Sequence, residues 1–128
     1  MKTAVSYAEE RNWDACLKIM LDKPYLINCI PEEKSLSVLH EAVLQNNGEY
    51  TEKLLNIGAC DVLVKTRKES TIETMSGKVT FPAGSSTLDF IEKLDENFSH
   101  VKEMIETHYK NVRKSRFDGP FSYQVGHY

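Results

Sequence analysis

The chain has no run of apolar residues near the ~20 that a bilayer-spanning helix requires, so no membrane association is expected. Its opening, MKTAVSYAEERNW, lacks the hydrophobic centre of a signal peptide. Cysteine is sparse. Cys16, Cys29 and Cys60 are odd in number, widely spaced and form no CxxC pair, which reads as reduced thiols in a cytoplasmic or nuclear compartment. Basic excess is also missing. Sixteen Lys and Arg face 19 Asp and Glu, for a net charge of −3, a balance that argues against a general nucleic-acid binder. Gly84-Ser85-Ser86 has neither the spacing nor the lysine of a phosphate loop and reads as an ordinary loop. His100, His108 and His127 make no metal-ligand spacing with one another or with a cysteine. No cofactor or metal is expected.

A catalytic set is absent as well. Cys16 lies among apolar positions of a predicted helix, which favours burial, and Cys60 adjoins Asp61, which raises a thiol pKa. Glu9-Glu10, Glu32-Glu33 and Asp95-Glu96 are neighbours in sequence, and neighbours on a helix do not share a face. The chain is therefore not expected to be an enzyme.

What is present is ordinary globular composition over 128 residues, 41% hydrophobic and 27% charged, enough for one domain. Its most informative stretch is Ser37 to Thr66. Leu39, Ala42 and Val43 mark one face of a helix. Asn46-Asn47-Gly48 breaks it, Leu54, Leu55 and Ile57 carry a second helix, and Gly58 ends that one, as a residue tolerant of left-handed backbone should. This stretch resembles an ankyrin repeat. The family's threonine-proline-leucine-histidine opening stands here as Ser37-Val38-Leu39-His40, without the proline. Its double alanine stands as Ala42-Val43, its leucine run as Leu54-Leu55, and its exit as Gly58-Ala59-Cys60-Asp61-Val62, with Cys60 inserted. In that family the histidine is structural, so the resemblance implies that the His40 ring bonds Ser37 and nearby backbone.

Such repeats recur at about 33 residues, and a degenerate copy precedes this one. Thr3 falls 34 positions before Ser37, and the same offset matches Val5 to Leu39, Ala8 to Ala42, Asn12 to Asn46, Met20 to Leu54 and Leu21 to Leu55. The two asparagines are read as left-handed turn residues. Trp13 is read as covering the open end of the stack, and Leu17, Met20 and Leu21 as the inner face of a helix that Asp22-Lys23-Pro24 stops. Residues 25–36 form a linker with Leu26 and Ile27 turned inward. Residues 67–85 do not fit the repeat. Ser70–Met75 and Lys78–Phe81 flank Ser76-Gly77 and predict a β-hairpin, with Ile72, Thr74, Val79 and Phe81 on an apolar face and Glu73, Met75, Lys78 and Thr80 on a polar one. A third helix pair over 86–115 opens at Ser86-Thr87-Leu88-Asp89, with Asp89 in the place of His40, and continues through Val101, Met104, Ile105 and Val112. His100 and His108 read as surface residues of it. The basic cluster Lys110, Arg113, Lys114 and Arg116 reads as a solvated helix end. An aromatic tail, residues 117–128, follows.

The expected architecture is thus mostly α: a short ankyrin-like helical repeat stack over residues 1–116, with repeats at about 3–36, 37–66 and 86–115 and an inserted β-hairpin at 67–85. The first repeat begins almost at Met1, which also fits a domain excised from a larger protein. The resemblance implies a protein–protein interaction module, an adaptor or scaffold, whose partner meets the first helices and the loop tips. Carried onto this chain, those positions are Tyr7, Glu10 and Arg11, then Glu41, Leu44 and Gln45, then Lys65, Thr66 and Arg67. Two other readings stand beside it: an inhibitor or immunity-type protein that blocks one enzyme, and an enzyme or nucleic-acid binder working through the C-terminal segment.

Overall fold

A computed structural model of the chain describes residues 3–57, 60–75 and 77–118, with backbone alone over 113–118. It is mostly helical, with one two-stranded antiparallel sheet. Helices α1 (Ala4–Glu9) and α2 (Trp13–Asp22) form one antiparallel pair, α3 (Val38–Leu44) and α4 (Gly48–Leu55) a second, and α5 (Thr87–Lys93) and α6 (Ser99–Asp118) a third. Strands β1 (Ser70–Thr74) and β2 (Gly77–Phe81) lie between the second and third pairs in sequence. Helix α3 packs between α1 and α5, and α4 packs on α6. Gly58 and the tail beyond Asp118 lie outside the described residues, as do the side chains of Arg113, Lys114 and Arg116.

The first helices start by one recurring device. A hydroxyl residue precedes each, and its Oγ accepts the N–H three residues on: Thr3 from Ser6 at 3.1 Å, Ser37 from His40 at 3.3 Å, Ser86 from Asp89 at 3.3 Å. At Ser37 and Ser86 the partner reciprocates. His40 Nδ1 accepts the Ser37 N–H at 3.3 Å, and Asp89 Oδ2 accepts the Ser86 N–H at 2.9 Å. Each such cap stabilises its helix by about 1 kcal/mol. These helices are six or seven residues long, too short to persist alone, so packing must hold them.

The turn after each first helix corrects the expected alignment. Left-handed backbone occurs at Arg11 (φ 63°) and Asn46 (φ 54°), while Asn12 has φ −88° and caps α2, as Asn47 caps α4. Asn12 is therefore the counterpart of Asn47, and the turns align at an offset of 35, because α3 carries one residue more than α1. The same shift explains Leu21. It is 67% exposed, whereas Met20 fills the core position. Trp13 does not cover an open end. It is 5% exposed, stacks on the Tyr50 ring at 5.4 Å and donates to Gln45 Oε1 at 3.1 Å, so it joins the first pair to the second.

The core runs through all three pairs, from Val5, Ala8, Cys16 and Met20, through Leu39, Ala42, Val43 and Leu54, to Phe90, Ile91, Val101 and Ile105. The linker tucks Ile27 fully inward and Leu26 partly so, within a 3-10 turn over Pro24–Asn28. The hairpin pairs Ser70 with Phe81, Ile72 with Val79 and Thr74 with Gly77. The strands thus close on Thr74 and Gly77, one step earlier than the Ser76-Gly77 turn expected from sequence, and Ser76 itself lies outside the described residues. The shift preserves parity, so the apolar face holds: Ile72 and Val79 are half-buried, and Phe81 is 1% exposed, stacked on Phe90 at 4.1 Å.

Candidate functional site

Two surfaces come into question: the solvent side of α1, α3 and α5 with the loops beside them, and the clefts between helices. On the first, Arg11 and Glu10 are exposed at the end of α1, and Tyr7 is half-buried against the core. Glu9 accepts from Lys34 Nζ at 2.7 Å, tying α1 to the loop that leads into α3. On α3, Glu41 is half-buried, and burial pushes its carboxyl pKa up. Leu44 is half-buried against the core, so little of its surface remains for a partner. Gln45 is committed inside the chain. Its Nε2 donates to the Ala8 carbonyl at 2.7 Å while its Oε1 accepts from Trp13.

The loop positions divide in the same way. Lys65 and Arg67 are exposed, but Arg67 donates to the Ile30 carbonyl at 2.6 Å. Thr66 corrects the expectation of a surface residue. It is 5% exposed, and its N–H donates to the Ser85 carbonyl at 3.0 Å while its Oγ1 accepts the Ser85 N–H at 3.2 Å. Sequence position had placed it at a loop tip; the hairpin's two ends converge there and cover it. Of the nine positions, then, Glu10, Arg11, Lys65 and Arg67 present open surface, and Gln45 and Thr66 hold the fold together.

His40 sits beneath this surface, fully buried. Its Nε2 donates to the Ser85 carbonyl at 3.1 Å, which leaves Nδ1 to accept the Ser37 hydroxyl at 2.7 Å. Burial pulls its pKa down to about 4. The ring is neutral at pH 7, has both nitrogens engaged and packs edge-on to Phe90 at 4.7 Å, so it is a structural group.

A cleft of about 630 Å³ opens at the first helix pair between Val5, Tyr7, Ile19, Leu26 and Pro31. Tyr7 is the one expected position on its wall, and no sequence signal marked the rest. A smaller cleft of about 320 Å³ between α4 and α6 holds His100, Glu103 and His108. Among the described residues no group of three His, Cys, Asp or Glu can hold a metal ion. Burial pushes the Cys16 thiol up to about 12, and burial with the Asp61 charge does the same for Cys60, so neither is poised as a nucleophile at pH 7. No helix among the described residues is long and apolar enough to cross a membrane. No family model, no curated protein and no solved structure matches this chain.

Proposed function

We propose that the chain is a short ankyrin-like repeat stack that acts as a protein–protein interaction module, an adaptor or scaffold, and meets its partner on the solvent side of its first helices and loops. One observation carries this: α1, α3 and α5 lie side by side, each opened by the same hydroxyl cap. Helices arranged so offer a continuous rigid face at low contact order. The exposed charges Glu10, Arg11, Lys65 and Arg67 border that face, and such rims set partner choice and association rate.

The hairpin enlarges the face and is the part specific to this protein. Removing residues 67–85 whole would take Phe81 from the core and the Ser85 carbonyl from His40. The informative change instead replaces Ile72–Val79 with a short glycine turn, leaving both strand bases in place. The test is affinity capture from cell extract with mass spectrometry, intact chain against variants. The expected result is that a captured protein is lost with the double charge reversal Arg11→Glu and Lys65→Glu, or with the shortened hairpin, and is kept with Lys53→Glu on α4. Retention by both of the first variants overturns the assignment of the surface.

A further inference from the structure

The hairpin has one open edge, and its alternation can be read from the register. A two-residue connection closes on a hydrogen-bonded pair, here Thr74 with Gly77, so Ile72 with Val79 and Ser70 with Phe81 are hydrogen-bonded pairs as well. At the base the two ends meet again one residue out of that register: the Thr66 N–H donates to the Ser85 carbonyl at 3.0 Å, and the Thr66 carbonyl accepts the Gly84 N–H at 2.9 Å. Within the strand, Thr71 and Glu73 must then turn their N–H and C=O groups away from β2. The opposite strand bears this out: the Thr80 carbonyl, outward by the same rule, accepts from Lys93 Nζ at 2.9 Å. On the β1 side a neighbouring lane has already begun, since the Arg67 N–H donates to the Ser35 carbonyl at 3.0 Å. Ser35 Oγ carries it one residue further, accepting the Lys68 N–H at 3.1 Å and donating to the Lys68 carbonyl at 3.0 Å; beyond Lys68 no described residue bonds the outer side of the strand, and Glu69, Thr71 and Glu73 are all exposed.

We propose that this outer edge of β1 takes an extended, basic segment of a partner protein by strand addition. The charges select the occupant. Glu73 in the strand and Glu69 just before it are both exposed and lie four apart, so an added strand is best matched by Lys or Arg at two positions four apart. Glu73 already faces a lysine on its other side, its register partner Lys78. The opposite face carries Ile72 beside Val79, both half-buried, and calls for apolar residues at the positions between. A second copy of β1 fits poorly. Antiparallel pairing centred on Thr71 sets Glu69 against Glu73 twice, and centring on Glu73 sets it against itself. Centring on Ile72 leaves four glutamates on one face. The proposal rests on the reading of the chain as a protein-binding module and names the chemistry of the partner.

The probe is an acetylated, amidated heptapeptide reading threonine, lysine, valine, threonine, valine, lysine, threonine, titrated into the full ¹⁵N-labelled chain. The expected result is that amide shifts and slowed hydrogen exchange centre on Glu69, Thr71 and Glu73, and that N-methylating the peptide amides that face β1 weakens binding by about tenfold or more, since ladder bonds and not charge alone hold it. Thr71→Pro, which removes the central outward N–H at an edge position where proline is tolerated, should weaken it similarly. Should that variant disturb the hairpin, Glu73→Lys supplies the second arm, losing the lysine peptide and gaining its glutamate counterpart. Equal binding of the N-methylated peptide, protection centred elsewhere, or no binding at millimolar peptide overturns strand addition. Partner capture through Arg11 and Lys65 is read separately, so failure here is distinguishable from failure of the module reading.

Discussion

The ring of His40 and the carbonyl of Ser85, 45 residues apart, are joined by a buried hydrogen bond of 3.1 Å. Through it the helix α3, whose own cap the same ring completes, is fastened to the residue that leads into α5. The bond requires a neutral ring with its proton on Nε2. In the unfolded chain the imidazole titrates near 6.5, and in the folded one near 4. Between these values the unfolded state binds the extra proton, so stability present above pH 6.5 is lost as pH falls toward 4. The loss amounts to about 3 kcal/mol if nothing else titrates. Urea midpoints measured from pH 8 to pH 4 should fall accordingly. His40→Ala should lower stability by about 2–4 kcal/mol at pH 8, through the cavity and the loss of one of the two hydrogen bonds to the Ser85 carbonyl, which keeps the Thr66 N–H, and flatten the slope in that window.

Arg11 holds φ 63° at an exposed turn, a conformation that costs a side-chain-bearing residue about 1–2 kcal/mol. Arg11→Gly should relieve that strain, offset in part by glycine's greater unfolded-state entropy, and raise stability by about 0.5–1 kcal/mol. Thermal unfolding checks this. Asn46→Gly at the equivalent turn should gain less, because asparagine tolerates the left-handed region better.

Gln45 spans the joint between the first two helix pairs, with Trp13 on one end of its amide and the Ala8 carbonyl on the other. Gln45→Ala leaves the Trp13 N–H without its acceptor and the Ala8 carbonyl with the Arg11 N–H alone, and should cost about 1–3 kcal/mol. Amide exchange should show the loss concentrated in α1 and α2, with α5 and α6 little changed.

Phe81, at the end of β2, stacks on Phe90 and is 1% exposed. Phe81→Ala should cost about 3–5 kcal/mol, whereas Met75→Ala at the hairpin's 90% exposed tip should change stability by less than about 0.5 kcal/mol. Chemical denaturation of the two variants measures the difference.

Much of this was legible in the sequence. Helical spacing at Leu39, Ala42 and Val43 located α3, and Thr3, Ser37 and Ser86 marked three helix starts that the structure caps alike. The faces of the hairpin followed from strict alternation. What escaped were features set by neighbours distant in sequence. Thr66 looked like a loop tip because nothing local announces that residues 84 and 85 return to pair with it. Gln45 looked like a surface residue because its partners lie 32 and 37 positions away. The fixed offset of 34 misplaced Leu21 and Asn12, because one residue gained in α3 shifts everything after the turn. Of the candidate surface, exposure at Glu10, Arg11, Lys65 and Arg67 was readable, while the cleft beside Val5 and Ile19 had no linear signature.

The contact of Lys93 with the Thr80 carbonyl has a bearing on colloidal behaviour. Open-ended filaments of hairpins grow head to tail, one molecule's β1 flank against the next one's β2 flank, and such growth needs both flanks vacant. The lysine tether sets a charged group on the β2 flank at Thr80, which disfavours that mode of growth.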